Sequence, residues 1–134
     1  MEMAKAKVVL ADDNLAILGQ VNSLLDEWRE YEVLAKYEDG NQLLREFRTH
    51  DPDIVVLDIS MPGMSGLEVA ARLQDAGSRA KIIFLTMHED HDFLRAALGA
   101  GAAAYVLKSR LCIDLRLAMK AVLSHQMFVS PVLL

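Results

Sequence analysis

The sequence predicts an α/β fold in which one doubly wound parallel sheet of five strands is covered by helices on both faces. Short apolar runs alternate five times with segments whose apolar residues recur at helical spacing. The central run, Ile54 to Leu57, is apolar at four successive positions, which is typical of a strand buried on both faces. Strands that alternate with helices form parallel sheets with right-handed crossovers. The runs at 31–37 and 103–108 are less apolar than the central ones, which favours the strand order 2-1-3-4-5.

Each predicted strand is an apolar run bounded by polar or turn residues. The run at 31–37 alternates with Glu32 and Lys36, so we place this strand at a sheet edge. The runs at 54–57 and 81–86 are the most apolar and are expected at the centre. The five predicted strands span residues 7–11, 31–37, 54–57, 81–86 and 103–108.

The predicted helices follow the strands and carry apolar residues three and four positions apart. In the first helix, Leu18, Val21 and Leu25 share one face. The third begins at Ser65, whose spacing to Glu68 fits a capping box. The predicted helices span residues 14–28, 40–50, 65–76, a segment that ends at Gly99 or Gly101, and 113–124.

Length and charge narrow the class of protein. The 134 residues suffice for one domain, with a core at about 7–124 and a tail, or the start of a linker to an effector domain, at 125–134. No apolar stretch suits a signal peptide or a bilayer span, so we expect a cytoplasmic protein without a membrane partner. A net charge of −5 offers no basic surface for nucleic acid, and the lone Cys112 has no partner for a disulfide.

Chemically useful residues follow four of the five strands. Asp12 and Asp13 follow the first, Asp58 the third, Thr86 ends the fourth and Lys108 ends the fifth. Because the carboxyl ends of parallel strands share one edge, these side chains are expected to converge. Three carboxylates at one edge predict Mg²⁺, and Asp58 is the central candidate to attack phosphorus and form an aspartyl phosphate. Lys108 would supply a positive charge and Thr86 a hydroxyl donor.

Structural roles are the alternative for each residue taken alone. Asp12 and Asp13 also suit a helix cap, Thr86 an ordinary strand end, and Lys108 a solvated edge. The acid-rich segment with His88 and His91 also fits a helix start better than a transition-metal site.

These residues resemble a known family. The pair Asp12-Asp13, the segment LDISMPGMSGLE around Asp58, Leu-Thr at 85–86 and Tyr-Val-Leu-Lys at 105–108 are similar to the receiver domains of two-component response regulators. The resemblance extends from about residue 7 to residue 124 and implies the flavodoxin-like (βα)5 receiver fold. Met-His-Glu-Asp at 87–90 and Phe-Val-Ser-Pro at 128–131 are similar to the NarL/FixJ group, whose receivers precede a LuxR-type helix-turn-helix.

The resemblance implies a role for each site residue. Asp58 would accept phosphate from a sensor histidine kinase and later lose it by autodephosphorylation. The implied Mg²⁺ ligands are Asp13, Asp58 and the Ser60 carbonyl, with Asp12 acting through water. Thr86 and Tyr105 would be the switch residues, which move after phosphorylation.

The resemblance also implies an output. A homodimer is expected on phosphorylation, formed through the fourth and fifth helices and the strand of Tyr105 or through the first and fifth helices. DNA would be bound only through a helix-turn-helix outside this chain. Such a protein is a signalling switch that modifies only itself. A Mg²⁺-dependent phosphatase and a pseudo-receiver that binds partners without phosphorylation are the alternatives.

Two positions depart from the common receiver pattern. Ser109 stands where many receivers have proline, which puts the route from Lys108 into the fifth helix in doubt. Met87 stands where a small residue is common. We expect its thioether to hinder water at the phosphoryl group, so Met87→Ala should speed dephosphorylation.

Overall fold

A parallel sheet of six strands with five α-helices forms the molecule, in a computed structural model that describes residues 4–134. The strand order is β2-β1-β3-β4-β5-β6, and every neighbouring pair is parallel. The strands are β1 (Ala6–Ala11), β2 (Tyr31–Tyr37), β3 (Ile54–Leu57), β4 (Lys81–Thr86), β5 (Ala104–Leu107) and β6 (Phe128–Val129). The helices are α1 (Leu15–Trp28), α2 (Gly40–His50), α3 (Gly66–Asp75), α4 (His91–Gly99) and α5 (Leu111–Leu123). Short 3-10 turns cover Lys108–Arg110 and Pro131–Leu133.

The predicted order of the first five strands is confirmed, but the prediction of five strands is wrong by one. Phe128–Val129 lies beside β5 and extends the sheet at that edge. Two residues are too few for a period to be recognised, and the pairing depends on a partner more than twenty residues away.

The sheet has a separate apolar core on each face. One core joins the sheet to α2, α3 and α4 through residues such as Leu43, Val69 and Ala97. The other joins it to α1 and α5 through residues such as Val21 and Leu115. All four residues of β3 are buried, as expected for a central strand between two helix layers.

Helix starts are defined by side chains that accept hydrogen bonds from backbone amides of the first turn. The predicted cap at Ser65 is confirmed, because its Oγ accepts a hydrogen bond from the Glu68 amide at 3.2 Å. The other capping side chains are Asn14, Asp39 and Asp90. No helix in the described residues is long and apolar enough to cross a membrane.

We expect Gly40→Ala to lower the free energy of unfolding by about 1 to 2 kcal/mol through overpacking between α2 and α3. A methyl group at this position would lie 2.5 Å from Cγ2 of Val69, which is fully buried. Gly99→Ala is the matched control, since nothing lies within 4 Å of the added methyl group in that helix. Urea denaturation of the three proteins measures the difference. Equal losses in both variants would contradict the packing argument.

Candidate functional site

Three carboxylates meet where β1 and β3 end. The pairing of the two strands continues beyond β3, since the Asp58 amide donates to the Ala11 carbonyl at 2.9 Å. One carboxylate oxygen each of Asp12, Asp13 and Asp58 lies within 4.8 Å of the other two. Asp12 and Asp58 are buried, whereas Asp13 is exposed. The parallel sheet therefore brings together the three acids that the sequence analysis predicted to converge at the carboxyl ends of the strands.

The turn after β3 brings α3 very close to the same site. The Gly66 amide donates to the Ile59 carbonyl at 2.7 Å. A Cβ atom at Gly66 would lie 1.9 Å from the backbone oxygen of Asp58, so only glycine fits between this helix start and the strand end.

Lys108 lies next to the acid cluster, which consists of Asp12, Asp13 and Asp58. Its Nζ is 2.8 Å from Asp12 Oδ2 and 3.4 Å from Asp58 Oδ2, and only 11% of the side chain is exposed. The residue begins the 3-10 turn that leads from β5 into α5. Ser109 in place of proline therefore does not keep the lysine away from the two buried acids.

The surroundings of Asp58 oppose its ionisation. Burial, followed by the charge of Asp12, raises the pKa of the Asp58 carboxyl to about 6, although Lys108 and the Ser60 backbone amide act in the opposite direction. Near neutral pH the site therefore holds negative charges that one lysine does not fully compensate.

These residues suit a hard divalent cation. Asp12 Oδ2 is buried and, although it lies near Lys108, it accepts no hydrogen bond of acceptable geometry from any described residue. A buried carboxylate oxygen without a hydrogen bond can still coordinate a metal ion, or accept a hydrogen bond from a water molecule bound to that ion. The donor set consists of carboxylate oxygens, which Mg²⁺ prefers. Asp12, Asp13 and Asp58 are the residues that could hold it, directly or through water, and the Ser60 carbonyl stays a predicted ligand.

Thr86 ends β4 with its side chain fully buried. Its Oγ1 accepts a hydrogen bond from the His88 amide at 3.1 Å. Tyr105, in β5, is also fully buried, and its hydroxyl donates to the His88 carbonyl at 2.7 Å. Burial raises the pKa of Tyr105 to about 12, so the hydroxyl stays a donor at neutral pH. The two predicted switch residues are thus joined through the backbone of a third.

The sequence did not reveal this role of His88. Its Nε2 lies 2.7 Å from Ser60 Oγ, and its ring stacks on Phe93 with centroids 3.9 Å apart. His88 therefore ties the β4–α4 loop to the β3–α3 loop at the site. The only sequence signal was its position two residues after Thr86.

The remaining loop residues have separate surroundings. His91 does not share the contacts of His88. Its Nε2 lies 2.8 Å from the Leu133 carbonyl oxygen. Among the described residues, the one group of acids, histidines or cysteines spaced for a metal is the aspartate cluster. Met87 is 76% exposed, so most of its side chain faces solvent.

The fold and this site define a receiver-type signalling domain. The chain matches the response regulator receiver domain family over residues 8–120 and belongs to it. Receiver domains are signalling proteins rather than classical enzymes, and they typically bind Mg²⁺ at an acidic pocket such as this one.

Similar proteins are NarL/LuxR-family response regulators. The oxygen regulatory protein NreC of Staphylococcus haemolyticus is 32% identical over 125 residues, which are 92% of this chain and 58% of NreC. The chain thus spans little more than half the length of this relative. A LuxR-family two-component response regulator from Aurantimonas has a TM-score of 0.92 at 32% identity, covering 97% of this chain and 93% of that one. The receiver domain of NarL from Mycobacterium tuberculosis has a TM-score of 0.81 at 30% identity, covering 92% and 97%.

Proposed function

We propose that Asp58 accepts a phosphoryl group from the phosphohistidine of a sensor histidine kinase and that the domain then changes conformation to control an output. The observation that carries the proposal is the buried Asp58 carboxylate, which shares one site with two further acids and Lys108. Burial and the neighbouring Asp12 raise the pKa of Asp58, so its ionised form is costly to keep, which favours a functional origin.

In the proposed transfer, an Asp58 carboxylate oxygen attacks phosphorus, a P–O bond forms, and the P–N bond to the donor imidazole breaks. The departing nitrogen keeps the bonding electron pair and takes up a proton. Mg²⁺, when bound to the aspartates, would neutralise charge on the phosphoryl oxygens. Lys108 is placed to pair with the same oxygens, because its Nζ already lies 3.4 Å from Asp58.

Thr86 and Tyr105 would convert this event into a change of shape. The Thr86 hydroxyl accepts a hydrogen bond from the His88 amide and keeps its own proton to donate, so a movement of Thr86 toward the phosphoryl group would strain or break the bond to His88. That change alters the loop that Tyr105 holds through the His88 carbonyl. New contacts at the phosphoryl group would thereby shift the balance between two loop arrangements.

The proposed output lies outside the described site. We propose that residues 1–134 form one receiver domain, which dimerises on phosphorylation and acts on DNA through a LuxR-type helix-turn-helix outside these residues. The similarity to LuxR-family regulators supports this, as does the similarity to RcsB, which has been solved as two dimers bound to two parallel DNAs.

The test is incubation with Mg²⁺ and a small-molecule phosphodonor, followed by intact-mass measurement. We expect one phosphoryl adduct on the wild type and on Asp26→Asn, a matched exposed aspartate on α1, and none on Asp58→Asn. Sizing with beryllofluoride reports the change in association. An adduct on Asp58→Asn, or none on folded wild type, would contradict the proposal, and the second outcome would favour a pseudo-receiver.

A further inference from the structure

A groove of about 530 Å³, called the amino-edge groove below, lies between α3 and the connection from α4 to β5, at the amino ends of β4 and β5. This edge of the sheet is opposite the one that carries the acid cluster. The volume falls within the usual range for small-molecule sites, roughly 300 to 1,000 Å³. The apolar lining is mostly alanine, with Leu73 and Ile82 as its largest side chains. Because alanine side chains are short, they leave room for another molecule to pack against them.

The polar lining of the amino-edge groove consists of hydrogen-bond donors without an acid. Its four polar side chains are Gln74, Ser78, Arg79 and Lys81. Neither Arg79 nor Lys81 forms an ion pair with any carboxylate of residues 4–134. In a chain with a net charge of −5, this groove is therefore a place where two positive charges are left without an opposite charge.

The nearest acids do not compensate the two cations. Asp51 and Asp53 line an adjoining cavity, to which Arg79 and Lys81 also contribute, but they form no ion pair with them. Asp53 Oδ2 instead accepts a hydrogen bond from the Lys7 amide at 2.7 Å. The charges of Arg79 and Lys81 thus stay available to an anion.

The loop that carries the two cations is fixed by backbone hydrogen bonds. The Ser78 amide donates to the Leu73 carbonyl at 3.0 Å, and the Lys81 amide donates to the Asp53 carbonyl at 2.9 Å. The Ser78 hydroxyl accepts from the Ala80 amide at 3.2 Å, so its own proton is free to be donated. A site fixed in this way loses little conformational freedom when a ligand binds.

Gln74 reaches from α3 to the opposite wall of the amino-edge groove. A Cβ atom at Gly101 would lie 2.7 Å from Gln74 Oε1, and Gly101 also has a φ of +95°. Glycine at this position therefore both permits the backbone conformation and leaves space for the Gln74 amide.

We propose that the amino-edge groove binds an organic phosphate, that is, a phosphate group attached to a small apolar or planar body. The guanidinium of Arg79 can donate to two phosphate oxygens at once, and Lys81 adds a second positive charge, so together they match a dianion. The apolar body would cover the alanines beside Leu73 and Ile82. The inference is independent of the proposed function, because no residue of the groove belongs to the acid cluster.

Titration followed by NMR tests the ligand class on the metal-free wild type. Phenylphosphonate is the probe, because its P–C bond cannot transfer a phosphoryl group to Asp58. It should shift the amide signals of Ser78, Lys81 and Gly101 in a saturable way, with a Kd of about 1 mM or lower. Inorganic phosphate, which lacks the apolar body, should bind about tenfold more weakly, and benzyl alcohol, which lacks the charge, should not saturate. No saturation by phenylphosphonate, or equal affinity for inorganic phosphate, would overturn the inference.

Substitutions at the cations test the site itself. Arg79→Gln should weaken phenylphosphonate binding about tenfold or more, and Lys81→Gln several-fold. Arg45→Gln is the matched control, because Arg45 is exposed on α2, does not line the groove and carries the same charge, and this variant should bind as the wild type does. Equal weakening in all three variants would show a general charge effect and overturn the inference.

A structural role for the same cations gives a different result. Positive charges near the carboxyl ends of α3 and α4 also stabilise those helices. If that were their only role, Arg79→Gln and Lys81→Gln would lower the midpoint of urea denaturation and leave the affinity for phenylphosphonate unchanged. This outcome would overturn the inference.

Discussion

Asp58→Asn is expected to make the metal-free domain more stable by about 2 to 3 kcal/mol at pH 7, although it removes the proposed phosphate acceptor. The reason is that folding raises the pKa of Asp58 from 3.8 to about 6, and each pKa unit corresponds to about 1.4 kcal/mol. The carboxylate is therefore more costly in the folded than in the unfolded chain. An amide at this position keeps the shape and removes the charge.

The pH dependence of this gain follows from the direction of the shift. Between pH 4 and pH 6 the folded chain binds the Asp58 proton and the unfolded chain does not, so this group stabilises the fold at low pH and loses that effect as pH rises through about 6. The advantage of Asp58→Asn should thus be full above about pH 6 and nearly absent near pH 4. Urea denaturation with a chelator, at several pH values, measures it.

Mg²⁺ should reverse the order of stability, so that the wild type becomes more stable than Asp58→Asn. A cation bound to the aspartates stabilises the folded wild type by mass action and has less to bind in the variant. Asp26→Asn should change stability little at any of these pH values, because that aspartate is exposed. A variant no more stable than the wild type at pH 7 without metal would show that Lys108 already compensates the Asp58 charge.

The sequence was sufficient for the fold because its signals are local and repeated. The apolar run of β4 ends where its hydrogen-bond ladder ends, and the predicted range 81–86 equals the observed strand. α5 begins at the buried Leu111, two residues before its predicted start. The 3-10 turn that leads into the helix has no long apolar period, so the sequence pattern did not mark this boundary. β6 was missed because backbone pairing at a sheet edge requires almost no side-chain pattern.

The site was predictable to the extent that topology determines it. Parallel strands bring their carboxyl ends together, which is why Asp12, Asp58 and Lys108 could be grouped from the sequence. Contacts made through backbone atoms could not be foreseen. The His88 amide and carbonyl join Thr86 to Tyr105, and any residue except proline could supply those two groups. The same holds for the Leu133 carbonyl at His91.

Lys108→Met should have the opposite effect to Asp58→Asn, lowering the stability of the metal-free domain by about 3 kcal/mol or more at pH 7. Methionine keeps much of the apolar length of lysine, so the main loss is the positive charge 2.8 Å from Asp12 and 3.4 Å from Asp58. Two buried carboxylates would then face each other without a cation. The pKa of Asp58 should rise above about 6, because Lys108 is one of the groups that lower it.

A double-mutant cycle separates this charge effect from lost packing. If the lysine acts through the acids, Lys108→Met should cost less in the Asp58→Asn background, by about 1 kcal/mol or more, since one of the two uncompensated charges is already gone. The cost should also fall as the pH is lowered and Asp58 takes up a proton. A loss that is independent of pH and equal in both backgrounds would mean that the side chain serves packing alone. In that case the acid cluster would depend on metal, rather than on Lys108, to offset its charge.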